Sequence, residues 1–153
     1  MLKSIHPLLT ADLLYVLRAM GHGDELVVVD SNFPVSSVAA TTVRRRPVLL
    51  AGANVVEACA AILSVLPIDT FVDQAAWRME VVGDPAAWPE VQREVQEVLD
   101  AAEGRSRPLA SLERMSFYEQ AKRAFAVVGT SEERSYGCFI FKKGIVLPDG
   151  STA

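Results

Sequence analysis

Residues 25–31, ELVVVDS, constrain the fold more than any other stretch of the chain. Leu26 to Val29 are apolar without alternation, and three of the four are β-branched. A strand with one wet face alternates apolar and polar residues. A continuous run this short fits a strand covered on both faces. PVLLAG (47–52) has the same character, and WRMEVVG (77–83) and AVVGT (126–130) read as further strands. CFIFKKGIVL (138–147) supplies one or two more, broken at Gly144.

Helical patterns lie between these runs. In TADLLYVLRAMG (10–21), Thr10 can cap the first turn, and Leu13, Val16, Leu17 and Met20 share a face. Gly21 suits the left-handed position that closes such a helix. Asn54 followed by Glu57 makes a capping box for VVEACAAILSVL, which Pro67 stops. DPAAWPEVQREVQEVLDAAEG (84–104) places Val91, Val95, Val98 and Ala102 on one face, becomes regular near Pro89 and ends at Gly104. RSRP (105–108) is a polar connection, and SFYEQAKRAF (116–125) opens with Ser-x-x-Glu as a short helix. Alternating helices and continuously apolar strands predict one α/β domain over residues 1–153, its largely parallel sheet covered by helices on both faces. Ligand sites in such sheets gather at the carboxyl ends of the strands.

Composition narrows the function. Half of the 153 residues are hydrophobic, enough for a real core, and the net charge is −4 with a pI near 5.2. That balance argues against nucleic acid, which calls for a basic face. The one dense basic run, RRRP (44–47), is short and reads as a solvated loop. No stretch of 18 apolar residues occurs, so no membrane helix is expected, and MLKSIHPLLT lacks the apolar segment of a secretory leader. Cys59 and Cys138 fit a reducing cytoplasm, with Cys59 a core residue. Two cysteines and two histidines give no metal-ligand spacing.

The candidate chemistry centres on GHGD (21–24) and Asp30. The glycine spacing matches neither phosphate-loop pattern, so nucleotide binding has no support. His22 can be a turn residue bonded to backbone, or a general acid or base. Asp30 ends an apolar run, so its carboxylate must be paired, hydrogen-bonded or open to a cleft. Asn32 and Phe33 follow in SNFPV, where Phe33 can be a stacking wall or core packing. Arg114 offers a fork for carboxylates or hydroxyls, or a surface ion pair. Tyr118 and Tyr136 can pack or hydrogen-bond, and SYGC (135–138) puts Tyr136 in a turn before a strand. No nucleophile signature occurs. An acid/base group, a carboxylate, an arginine and tyrosines suit proton transfer on a small polar molecule.

Three segments in order carry a family resemblance. MLKSIHPLLTADLLYVLRAMGHGDELVVVD, SFYEQAKRAFAVVGTSE and YGCFIFKKGIV resemble the opening, F-Y-E and closing Y-G segments of the ribose pyranase/fucose mutarotase (RbsD/FucU) family, nearest its fucose branch. The resemblance implies an isomerase that interconverts anomers of a monosaccharide, with no metal and no organic cofactor. It implies a homo-oligomer, a decamer or smaller, with its site at a subunit interface. Carried over by position, His22, Asp30 and Tyr136 would be catalytic, and Arg114, Tyr118, Asn32, Phe33 and Cys138 would hold the sugar. The Gly21–Gly23 turn would present His22 towards the strand end where Asp30 emerges. Two positions depart from the fucose pattern: Asn32 replaces a histidine, and Cys138 replaces an asparagine. Both favour the alternative reading of a monosaccharide-binding accessory protein of a sugar-uptake system without turnover. His6 has no assigned role.

Overall fold

A computed structural model describes residues 2–152. The apolar run forms β1 (Glu25–Val29), with Leu26 to Val29 all fully buried. Parallel neighbours pair along one side, β5 (Ala126–Thr130) against β1 and β2 (Val48–Leu50) against β5. On the other side β6 (Phe139–Lys142) runs antiparallel to both β1 and β3 (Ala76–Met79). Finally, β4 (Ala110–Leu112) pairs parallel with β3. The order is β2-β5-β1-β6-β3-β4, so five strands point one way and β6 alone points back.

Helices cover both faces. One core layer packs α1 (Ala11–Ala19), α3 (Val55–Leu63) and α4 (Glu90–Glu103) on the sheet. The other packs α2 (Val35–Ala39) and α5 (Arg114–Ala121). The local signals account for several boundaries. The Thr10 hydroxyl accepts from the Leu13 N–H, Asn54 and Glu57 form the reciprocal box, and Gly104 is left-handed at φ 64°.

Other boundaries differ from the sequence expectation for physical reasons. The Lys143 ammonium closes α1 by donating to the carbonyls of Leu17 (2.8 Å) and Met20 (2.6 Å), so Gly21 need not turn left-handed; Gly23 does, at φ 84°. The buried stripe of α4 runs through Leu99, while Ala102 is exposed. Glu113 caps α5, its carboxylate accepting from Met115 (2.7 Å) and Ser116 (3.1 Å) N–H groups; the helix begins at Arg114, ahead of Ser116. At the sheet edge, Leu49 of β2 is 64 % exposed, so that strand is covered on one face only.

Candidate active site

Five strands pointing one way put five carboxyl ends, and the start of β6, along one edge of the sheet. A cleft of about 190 Å³ opens there. Asp30, Asn32 and Phe33 reach it from the end of β1, Met79 from β3 and Arg114 and Tyr118 from α5. Ser135, Tyr136 and Cys138 close it from the turn that leads into β6.

Asp30 is buried and held at both oxygens. Oδ1 accepts from the Asn32 N–H (3.0 Å), and Oδ2 from the Gly137 N–H (3.2 Å) and the Cys138 thiol (3.4 Å). Burial and the Asp30 charge push the Cys138 thiol up, so it stays protonated and donating at neutral pH. Phe33 is buried, edge-on to Phe117 and tilted against Tyr118, so it forms packed wall rather than an exposed stacking platform. The exposed guanidinium of Arg114 joins none of the ion pairs among the described residues. Its fork therefore remains open to a ligand.

Tyr136 is the distorted member. It sits at φ 65°, left-handed backbone that costs a non-glycine residue roughly 1–3 kcal/mol. Its hydroxyl accepts from the Val82 N–H at 3.3 Å. The loop behind it is anchored by Glu132, whose buried carboxylate binds the Arg134 guanidinium and the Val55 N–H. Those bonds, the Arg134 pair foremost, hold Glu132 below the ordinary carboxylate range.

His22 does not join this group. It precedes β1, whereas Asp30 follows it, and the strand between is about 17 Å of extended chain. The GHGD turn is pinned at the amino end of the sheet. Asp24 Oδ2 accepts from the Gly21 N–H (2.7 Å), and Gly23 donates to the Lys143 carbonyl (2.8 Å). The expectation that the turn aims His22 at its own Asp30 is therefore wrong in geometry.

At that end His22 Nε2 meets Asp69 Oδ1 at 3.0 Å, and its ring packs edge-on to Phe71. The imidazole is 46 % exposed and the carboxylate 2 %. Burial pushes the Asp69 carboxyl up, but the Phe71 N–H and His22 outweigh it and hold the group below its ordinary value. Gly144 makes this possible, since a Cβ there would lie 2.7 Å from the Ile68 carbonyl oxygen. Sequence reading missed Asp69, 47 residues from its partner; the signal was a lone carboxylate inside the apolar stretch VLPIDTFV (65–72). It also missed Met79 and Ser135 in the cleft.

The two cysteines are free and buried, and no helix among the described residues is long and apolar enough to cross a membrane. Among the described residues no cluster of potential metal ligands occurs.

Known proteins resemble the whole chain. Fucose mutarotase of Danio rerio is 43 % identical over 152 residues, 97 % of this chain and 96 % of its own. Fucose mutarotase of Homo sapiens is 40 % identical over 148 residues, 95 % and 94 % of the two chains. A crystal structure of the fucose mutarotase of Streptococcus pneumoniae in complex with L-fucose superposes with a TM-score of 0.83 at 34 % identity, covering 95 % of this chain and all of that one. The sequence profile described as the RbsD / FucU transport protein family matches residues 3–146, and with the sheet order and cleft above it makes this chain a member of that family.

Proposed function

We propose that the protein is a monosaccharide mutarotase that interconverts the anomers, or ring forms, of a sugar such as L-fucose by cofactor-free acid/base catalysis. The observation that carries the reading is the convergence of Asp30, Arg114, Tyr118 and Tyr136 on one cleft in a chain 40 % and 43 % identical to two fucose mutarotases. At about 190 Å³ the cleft is smaller than those that take drug-sized ligands, roughly 300 Å³ and above, and suits one small polar molecule. The names of those relatives favour turnover over the binding-only alternative.

Mutarotation removes the proton from the anomeric hydroxyl and delivers one to the ring oxygen. The bond between the anomeric carbon and the ring oxygen breaks to give the open-chain aldehyde. Rotation about the neighbouring carbon–carbon bond and reclosure on the other carbonyl face complete the exchange. Arg114 and Asn32 bind hydroxyls, Asp30 accepts from one, and the Tyr136 phenol donates at the ring oxygen. His22 is the remaining proton-transfer group. Because Asp69 is ionised at neutral pH, neutral His22 carries its proton on Nε2 and keeps Nδ1 free as a base.

His22 can serve a cleft only from another copy of the chain, because its own lies at the far end of β1. The reading therefore includes a homo-oligomer in which one subunit's amino end meets its neighbour's cleft. A cytoplasmic setting fits the two free, buried thiols.

Exchange NMR on a panel of monosaccharides tests this. The protein should accelerate anomer exchange of at least one sugar, and His22→Ala should abolish the acceleration. Binding without faster exchange would sink the enzymatic reading, and a monomeric solution mass would sink the shared site.

A further inference from the structure

Gln92 lies on α4, behind the sheet and outside the cleft, and is fully buried. Its amide nitrogen donates to the carbonyls of Met79 (2.7 Å) and Tyr136 (2.9 Å). Its amide oxygen accepts from Arg78 Nη1 at 3.0 Å. Two carbonyls on one side and a guanidinium on the other permit a single orientation of the amide. Arg78 is itself buried. It donates to the carbonyls of Ala87 and Pro85 and lies over the Trp88 ring, 4.2 Å from its centroid. The side chain that presents Gln92 with a donor is thus fixed on three further sides.

The Tyr136 carbonyl and the Gly137 N–H belong to one peptide group. Gln92 holds its oxygen from behind, and Asp30 Oδ2 holds its N–H at 3.2 Å from the cleft. That peptide follows the left-handed φ of Tyr136, a conformation that persists where the surroundings over-determine it. The same amide also fixes Met79, whose N–H donates to the Cys138 carbonyl at 3.1 Å. An apolar residue at position 92 would strand the Met79 and Tyr136 carbonyls and one Arg78 N–H, so the amide is held there by its bonds and not by packing alone.

We propose that Gln92, oriented by Arg78, is a positioning residue that sets the aim of the Tyr136 phenol in the cleft. It acts through the Tyr136–Gly137 peptide and touches no substrate. The activity part of this proposal rests on the mutarotase reading; the structural part does not.

A double-mutant cycle separates positioning from mere packing. Gln92→Leu in the full chain should slow sugar exchange by about ten- to a hundredfold, as expected when a reacting group is misplaced by a fraction of its reach. In a Tyr136→Phe background the same change should cost less than about twofold, because the phenol it aims is gone. An equal loss in both backgrounds, or exchange within about twofold of wild type in Gln92→Leu alone, would overturn the proposal. If Gln92→Leu does not fold, the paired variant Arg78→Met with Gln92→Leu removes both polar partners together and is read through the same cycle.

Amide NMR without sugar gives an independent arm. Gln92→Leu should shift the Gly137 amide resonance and speed its hydrogen exchange, whereas an unmoved Gly137 amide would overturn the clamp. Should wild-type protein accelerate no sugar, the mutarotase reading fails while this arm still decides the clamp.

Discussion

The two ends of β1 hold polar side chains in opposite ways. At the carboxyl end Asp30 is buried, satisfied by backbone N–H groups and a thiol, and lines a cleft with Asn32, Arg114 and Tyr136. At the amino end His22 is half exposed, and its hydrogen-bond partner Asp69 is the buried member. Polar cleft-lining groups stand at one end without an imidazole. An imidazole stands at the other, paired with a buried carboxylate. The length of β1 keeps the two groups apart.

The largest expected effect tests whether the ends complete each other between copies. His22→Ala and Asp30→Asn should each lower exchange by about a hundredfold or more. Subunits of the two variants, unfolded together and reassembled, should recover about a quarter of wild-type activity, since random pairing restores one intact site in four. No recovery would rule out a site shared between copies.

Next in size is Gly144→Ala. Its added methyl group meets the Ile68 backbone, so stability should fall by roughly 1–3 kcal/mol in urea unfolding. The amino end should suffer selectively, with sugar affinity at the cleft kept and exchange slowed.

Asp69→Asn should slow exchange by about tenfold with little change in sugar affinity. It also alters acid stability. The folded-state carboxyl titrates below its ordinary value of 3.8, so the unfolded chain binds the proton more readily. The stabilisation is present above that value and is lost as pH falls towards the folded value. Urea midpoints between about pH 5 and pH 2 should therefore fall less steeply in Asp69→Asn than in wild type. An identical slope would mean that His22 and Phe71 do not hold the carboxylate.

The smallest effect is Cys138→Ser. The hydroxyl keeps a donor towards Asp30, so exchange should stay within about twofold and stability within about 1 kcal/mol. The wild-type thiol, buried and protonated, should resist alkylation in the folded protein.

What the sequence disclosed follows the range of the forces involved. The Thr10 cap, the Asn54–Glu57 box and the left-handed Gly104 are settled within three or four residues, and all are visible in the chain. The continuous apolar runs likewise reveal β1 and β5. Three-residue β4, reading Ala-Ser-Leu, has no β-branched residue to mark it, and five-residue α2 is too short to show a period. The reversal of β6 is invisible because direction depends on what a strand pairs with.

Within the site, seven of the eight expected residues line the cleft, Asp30, Asn32, Phe33, Arg114, Tyr118, Tyr136 and Cys138. The residues that follow β1 and β4 share it through strand direction, which the alternation of elements discloses, whereas Tyr136 and Cys138 reach it through the reversal of β6, which that alternation does not. His22 lies elsewhere because proximity in sequence across a strand becomes distance in space. Asp69 and Gln92 reach their partners across 47 and 44 residues, beyond any local pattern.

The reversed strand β6 has a consequence of its own. It leaves the cleft at Cys138 and ends beside the histidine turn, where Lys143 exchanges backbone bonds with Gly23 and Asp24. It is therefore a gauge bar: its four residues fix the offset between the cleft edge and the histidine turn. Loops at either edge can lengthen without disturbing that offset. One residue inserted into β6 would turn its side chains to the wrong faces and shift both edges at once. Variation in sugar choice should thus accumulate in the rim loops, while the length of this strand stays fixed.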